Sequence, residues 1–255
     1  MRALLAALCV TGLLGAAADA GAQGVDDFGR FGPPKSRAET PQNVAVELRV
    51  GRYIPAIDSE FDGQATPYQT MFGTDNRYSI GLEVDWQALR IPFLGTLGPG
   101  FAFQYTKHTA SGFVTSSLGQ GDPQRSGEDT SLVIFPMYAV AVLRADYLAR
   151  ETPIPLVPYA KLGVGAAIWS ISGGAGTANV QGSSGSGLSY GPQFALGGML
   201  LLDAFDAKAA KDIDQNVGVN NTYFFMEWYV SHLGIGSDQM RVGTNTWVLG
   251  LALEI

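Results

Sequence analysis

Seven charged residues stand at alternate positions inside otherwise apolar segments: Glu47, Arg49, Glu83, Asp85, Lys161, Glu227 and Glu254. Two carboxylates held close together can divide the roles of acid and base in general acid–base catalysis. The alternative is a structural cluster, in which Arg49 and Lys161 neutralise the carboxylates. Because the set is mixed in sign, we favour mutual neutralisation over both catalysis and an ion-conducting path.

Few other residues have catalytic potential. His108 and His232 are the only histidines, which argues against a histidine-based metal site. His108 begins a long polar stretch, and we expect it to be a solvated loop residue. Ser231 and His232 are adjacent, so in a strand they point to opposite faces and do not form a nucleophile–base pair. Residues 173–187 are rich in Gly and Ser without a nucleotide-binding pattern. We therefore expect no catalytic residue, no cofactor and no metal.

The N-terminal residues 1–22 have the pattern of a secretory signal peptide. Arg2 supplies a positive charge, residues 3–18 are apolar, and residues 20–22 offer the small side chains that signal peptidase requires. Cleavage there would remove Cys9, the only cysteine of the chain. The mature chain would then contain neither disulfides nor thiol chemistry.

The rest of the chain divides into a lead-in and one domain. Residues 23–41 contain Pro and scattered charges without periodicity, and we expect a flexible N-terminal periplasmic segment. Residues 42–255 are expected to form a single β domain, because 33 Gly, 13 Pro and 11% aromatic residues favour strands and turns. The formal net charge of −7 argues against nucleic acid as a partner.

From residue 44 onwards, apolar and polar residues alternate with the period of a strand that has two unlike faces. Pro136 lies in a segment that is apolar on both faces, and we expect a β-bulge there. Eight such segments occur, at residues 44–51, 78–86, 101–106, 132–147, 159–168, 193–203, 223–230 and 247–255.

The connections between these segments alternate in character. Four are long and polar, at residues 55–76, 107–130, 170–189 and 233–245. Those at 88–98 and 148–157 are shorter and contain Pro, and the one at 204–220 carries Phe205, Ala209 and Ile213 at the spacing of a short amphipathic helix. This asymmetry is typical of outer-membrane barrels. The sequence therefore predicts an all-β fold, an eight-stranded antiparallel up-and-down transmembrane β-barrel in the cell outer membrane. Side chains fill the interior of so small a barrel, so the charged rows should face inward and the apolar rows should face lipid.

The last segment is the most specific of the eight. It resembles the C-terminal assembly signal of outer-membrane barrels, although that signal usually ends in Phe or Trp where this chain has Ile. The whole mature chain resembles the small OmpA/OmpX-type barrels. Residues 201–211 and 221–225 are similar to a little-characterised family of Gram-negative outer-membrane barrel proteins. The residues that carry the C-terminal pattern are Trp247, Leu249, Leu251, Leu253 and Ile255.

The resemblance implies partners but no activity. The partners are outer-membrane lipid and lipopolysaccharide, and the barrel assembly machinery during insertion; we expect a monomer. Three functions stay open. We favour a non-enzymatic structural or surface-interaction role, with the long loops carrying any recognition. A narrow pore or transport component is disfavoured by the small interior. The third is a lipid A-modifying enzyme of the kind that uses Ser, His and a carboxylate on the barrel surface.

Overall fold

A single closed sheet dominates the computed structural model, which describes residues 43–113, 125–152, 154–173, 176–177, 179–180, 183–204, 219–236 and 239–255. Within these residues, eight long strands follow one another and each pairs antiparallel with its chain neighbours. The strands are β1 (Val44–Arg52), β2 (Tyr78–Trp86), β3 (Gly95–Phe113), β4 (Arg125–Arg144), β5 (Leu156–Gly173), β6 (Ser186–Leu201), β7 (Asn221–Ser231) and β8 (Asn245–Glu254).

The sheet closes because β8 pairs with β1 as well as with β7. Ala45 of β1 lies opposite Glu254 of β8 on one side and opposite Asp85 of β2 on the other. Each of the eight strands therefore has two partners, and closure removes the unpaired edges that an open sheet would present. The predicted eight-stranded antiparallel up-and-down barrel is confirmed.

Side chains alternate between an interior row and an exterior row along every strand. Lys161 is 1% exposed, whereas its neighbour Leu162 is 65% exposed. In β2 the interior positions include Glu83 and Asp85, and the exterior positions are apolar throughout. This distribution reverses that of a water-soluble domain, in which charged side chains are almost never fully buried and apolar side chains fill the interior.

The expected bulge at Pro136 is wrong. Phe103 lies opposite Met137 and Thr106 lies opposite Ile134, so the register between β3 and β4 is the same on both sides of the proline. A proline removes one backbone donor from a ladder, but it does not require an extra residue in the strand. The inward and outward parity of β4 therefore runs through Pro136 unchanged.

Two of the predicted loops are largely strand. β3 and β4 extend through much of residues 107–130, and β5 and β6 extend through much of residues 170–189. The register irregularity of the β3–β4 hairpin lies in this extension, between Ser111 and Phe113. Polar composition does not exclude strands here, because both faces of a hairpin that projects beyond a barrel can be exposed to solvent.

We call the end of the barrel where β1, β3, β5 and β7 finish the loop end, and the opposite end the turn end. At the loop end, the β1–β2 connection contains a 3-10 helix (Ala56–Phe61) and helix α1 (Pro67–Phe72). At the turn end lie a short strand (Leu89–Ile91), helix α2 (Tyr147–Glu151) and a 3-10 turn (Leu202–Ala204).

Short two-residue strands occur between β5 and β6, at Gly176–Thr177, Asn179–Val180 and Ser183–Ser184. The predicted signal peptide, the lead-in segment and the amphipathic helix near Phe205 lie outside the described residues. No helix in the part of the chain that the structure describes is long and apolar enough to cross a membrane.

Candidate functional site

The interior of the barrel has two layers. The layer nearer the loop end combines buried aromatic and apolar side chains, among them Leu132, Ile134 and Tyr229, with uncharged polar ones such as Gln104 and Thr106. The layer nearer the turn end holds eight charged side chains, none more than 6% exposed. We call these eight the charged cluster: Glu47, Arg49, Glu83, Asp85, Arg144, Lys161, Glu227 and Glu254.

Arg49 and Lys161 lie at the centre of the charged cluster. The Arg49 guanidinium reaches Glu83 with one nitrogen and Glu227 with the other. The Lys161 ammonium lies 2.6 Å from an oxygen of Glu47 and 2.7 Å from an oxygen of Glu83. Glu47 and Glu83 are direct cross-strand partners, so these two cations separate carboxylates that would otherwise repel each other.

Arg144 extends the cluster towards the turn end. Its guanidinium lies 2.9 Å from Glu47, contacts Asp85 and lies 3.5 Å from Glu254. Arg144 is absent from the sequence-predicted set because the expected bulge at Pro136 left the parity of the fourth segment unassigned. Arg144 lies eight residues after Pro136, so it has the same parity as the proline and faces the interior with it.

Two tyrosines add hydrogen bonds to the carboxylates of the cluster. The Tyr159 hydroxyl donates to Glu227 at 2.8 Å, and the Tyr223 hydroxyl donates to Glu254 at 3.1 Å. Buried carboxylates are stable only when their oxygens are both paired and hydrogen-bonded. The structure thus brings all seven sequence-predicted residues together and adds Arg144 and these two hydroxyls.

The carboxylates and cations of the charged cluster are paired with one another. Five carboxylates face three cations, so with every group ionised the cluster carries two net negative charges. Glu47, Glu83 and Asp85 bring carboxylate oxygens within 4.8 Å of one another, a grouping that could hold a metal ion. Lys161 and Arg144 already contact these carboxylates. A substrate would also have to reach side chains that are almost fully buried.

His108 lies inside the barrel, so the expectation of a solvated loop residue is wrong. Its Nδ1 is 2.6 Å from the Tyr68 hydroxyl, and its Nε2 is 2.9 Å from the Thr106 hydroxyl. The Thr106 hydroxyl donates to the Tyr78 carbonyl at 3.0 Å, so it accepts the hydrogen bond from Nε2–H of His108. The Nδ1 atom then has no proton and accepts from the Tyr68 hydroxyl. Burial raises the pKa of Tyr68 to about 12, so its hydroxyl keeps the proton that it donates. This contact fastens α1 onto the loop end of the barrel.

Ser231 and His232 lie on opposite faces of the barrel wall. Ser231 is buried, and its hydroxyl accepts a hydrogen bond from the backbone amide of Thr244. His232 is exposed on the outside. A serine must lie within hydrogen-bond reach of its base to be activated, and these two side chains do not meet.

The apolar residues of the predicted C-terminal signal form one exterior row of β8. All five are exposed, with Trp247 the most exposed at 58%. The interior positions between them hold Val248, Ala252 and Glu254, which are buried. The row is therefore continuous with the apolar exterior of the neighbouring strands β1 and β7.

Comparison with known proteins returns barrels of the same kind. Ail, the attachment invasion locus protein of Yersinia pestis, aligns with a TM-score of 0.41 and 15% identity over 84% of this chain and 97% of that chain. The N-terminal barrel domain of Pseudomonas aeruginosa OprF gives 0.39 and 11% over 84% and 98%. The outer membrane enzyme PagL gives 0.41 and 14% over 83% and 99%.

The fold of the described residues is the closed eight-stranded antiparallel barrel that the resemblance to small OmpA/OmpX-type barrels implied. No protein-family model matches the chain, and no curated protein matches it. The resemblance of residues 201–211 and 221–225 to a particular Gram-negative family therefore stays a prediction. The identities above are too low to carry an activity from any of these proteins to this chain.

Proposed function

We propose that the protein is an integral barrel of the outer membrane with a structural or surface-interaction role, and that it is neither a pore nor an enzyme. The observation that carries this proposal is the reversed distribution of polarity. Apolar side chains cover the outside of the wall from the turn end up to the level of Arg52 and Lys107, and the eight side chains of the charged cluster pair with one another inside it. Such a wall is compatible with a lipid environment, where an exposed charge near the midplane costs about 2–4 kcal/mol.

The packed interior argues against an ion or solute path. A water-filled channel would leave its lining side chains accessible, but Lys161, Glu47 and Phe225 are at most 1% exposed. Eight strands enclose an interior only wide enough for side chains to fill. The charged cluster therefore fills the interior, and its ion pairs join strands on opposite sides of the barrel.

The exterior argues against the lipid-modifying alternative. His232 is exposed at the loop end, but its neighbouring serine lies on the other face of the wall. Ser231 therefore cannot be the nucleophile that His232 activates as a base. The loop end then remains as the region available for contact with surface partners.

A charge scan on the exterior tests the membrane placement. Leu162 lies midway along β5 and is exposed, and Ile154 is exposed in the turn before that strand. In lipid vesicles, Leu162→Arg should lower the free energy of unfolding by about 2–4 kcal/mol. The matched Ile154→Arg variant should stay within about 0.5 kcal/mol of the unsubstituted protein. Equal effects of the two substitutions, or recovery of the native protein in the soluble periplasmic fraction, would contradict the placement.

Two measurements test the rest of the proposal, the first on the refolded barrel and the second on cells. In planar bilayers it should give no stepwise conductance. Cells that express it should show the same lipid A mass spectrum as cells that express His232→Ala at equal barrel levels. Stepwise conductance would establish the pore, and a mass change that depends on His232 would establish the enzyme.

A further inference from the structure

Two basic side chains flank a tyrosine on the outer wall near the loop end. Arg52 of β1 is the cross-strand partner of Tyr78 of β2. Ser79 lies opposite Thr106, and this register places Lys107 of β3 beside Tyr78 on its other side. All three side chains are exposed on the exterior. We call this row the basic rim: Arg52, Tyr78 and Lys107.

The basic rim marks the boundary of an uncharged belt. Val50, Ile80 and Tyr105 are the next exterior residues towards the turn end on the same three strands, and all are exposed. From the rim towards the turn end, the exterior positions of the eight described strands carry no charged side chain. On the exterior of β1, β2 and β3, the charged side chains that border this belt at the loop end are therefore both positive.

Neither cation of the basic rim forms an ion pair with another described residue. Among the ion pairs of the described residues, none involves Arg52 or Lys107. Lys107 lies opposite Val133 of β4, and Asp129, an exposed acidic residue of that strand, is four positions further along. Four residues of a strand span about 13 Å, so Asp129 is beyond the reach of a direct ion pair.

We infer that the basic rim binds the phosphate groups of lipid A, the phosphorylated lipid anchor of lipopolysaccharide. This inference rests on the proposed membrane placement, with the loop end towards the outer leaflet. Arginine binds phosphate bidentately and lysine binds it as a point charge. Neighbouring strands lie about 5 Å apart, so the Cβ atoms of Arg52 and Lys107, which are two strands apart, are separated by about 10 Å. Their long side chains can converge on one phosphate or bind two phosphates of one headgroup. Tyr78 lies between them, as aromatic residues do at the interface of a membrane barrel.

The test uses the refolded full-length barrel in neutral detergent micelles. Binding of bisphosphorylated lipid A is measured by titration against the same lipid A after its phosphates have been removed. The Arg52→Gln/Lys107→Gln variant removes both cations of the rim. The Arg90→Gln/Arg150→Gln variant removes two exposed cations at the turn end and serves as the matched control. Inorganic phosphate is added as a competitor, to separate a lipid headgroup from a free anion as the ligand.

Each outcome decides the inference. The rim variant should bind phosphorylated lipid A about 30-fold more weakly, because each basic side chain near an anionic lipid surface contributes about 1 kcal/mol and 1.4 kcal/mol is tenfold. The control should bind normally, and millimolar phosphate should not compete. Equal binding by the rim variant, or by dephosphorylated lipid A, would overturn the inference, as would displacement by inorganic phosphate.

Insertion into vesicles and heat-modifiable gel mobility are measured on the same samples. A barrel that inserts but shows no preference for phosphorylated lipid A would refute the basic rim alone. A protein that does not insert would refute the proposed membrane placement, and the rim with it.

Discussion

Replacing Lys161 by methionine tests the charged cluster most directly. The Lys161 side chain is fully buried, and its ammonium lies within 2.7 Å of both Glu47 and Glu83. Methionine has a similar length, so it removes the charge without opening a large cavity. The net charge of the cluster changes from −2 to −3. Glu47 and Glu83 each lose a close partner, and Glu227 loses one at 3.7 Å. Removing one partner of a buried ion pair costs about 3–5 kcal/mol.

The measurement is reversible urea unfolding of the barrel in lipid vesicles, followed by tryptophan fluorescence. Lys161→Met should lower the free energy of unfolding by this amount through an earlier midpoint, without changing the slope, which depends on the surface exposed. Lys107→Met removes the same side chain from the exterior and should stay within about 0.5 kcal/mol. Lys161→Met/Glu83→Gln also removes the charge of one carboxylate that has lost its cation. This double variant should regain about 1–2 kcal/mol of the lost free energy of unfolding, because the two neighbouring sites are energetically coupled.

Near-wild-type stability of Lys161→Met would refute the reasoning. It would mean that the carboxylates around Lys161 are solvated or protonated and that the interior is not sealed at this level. A loss in Lys161→Met that the Glu83→Gln substitution deepens would also contradict it, because the penalty would then come from packing and not from charge.

Three further outcomes follow from the same geometry. Gly100→Ala drives a methyl group against Oδ1 of Asp85 and should cost about 1–3 kcal/mol, whereas Gly198→Ala, whose nearest neighbour is 3.7 Å away, should be tolerated in the same urea assay. Tyr68→Phe removes the hydrogen bond to His108, so the amides of α1 should exchange about fivefold faster by hydrogen-exchange mass spectrometry. Raising NaCl from about 0.05 M to about 0.5 M should shift the unfolding free energy by less than about 0.5 kcal/mol, since buried ion pairs are screened only weakly.

The barrel could be predicted from the sequence because each strand separates two environments, lipid outside and a packed interior within. Alternation in β2 and β8 assigns both faces residue by residue, and the even number of segments allows closure. The same alternation is sufficient to place the charged residues of these strands in the interior. Arg144 was not assigned to the interior because its segment is apolar on both faces and a bulge was expected at Pro136, which left the direction of each side chain open.

His108 could not be placed from the sequence for a different reason. Its burial depends on α1, which lies some forty residues earlier in the chain and folds back over the loop end. Local polarity predicts solvent exposure only where no other segment covers the residue. The sequence also did not predict that β3 and β4 extend beyond the barrel. Their side chains there are polar, but the backbone hydrogen bonds between the two strands still hold the hairpin together.

The wide separation in sequence of the residues in the charged cluster constrains the order of assembly. Arg49 and Glu227 are 178 residues apart, and Lys161 and Glu47 are 114 apart. Until β8 docks against β1, the first two strands carry these charges without the partners supplied by later strands. In the membrane placement proposed above, an open sheet crossing the bilayer would expose these charges to hydrocarbon. We therefore expect the barrel to close as it inserts, with the pairing of its interior charges as the step that makes the chain compatible with lipid.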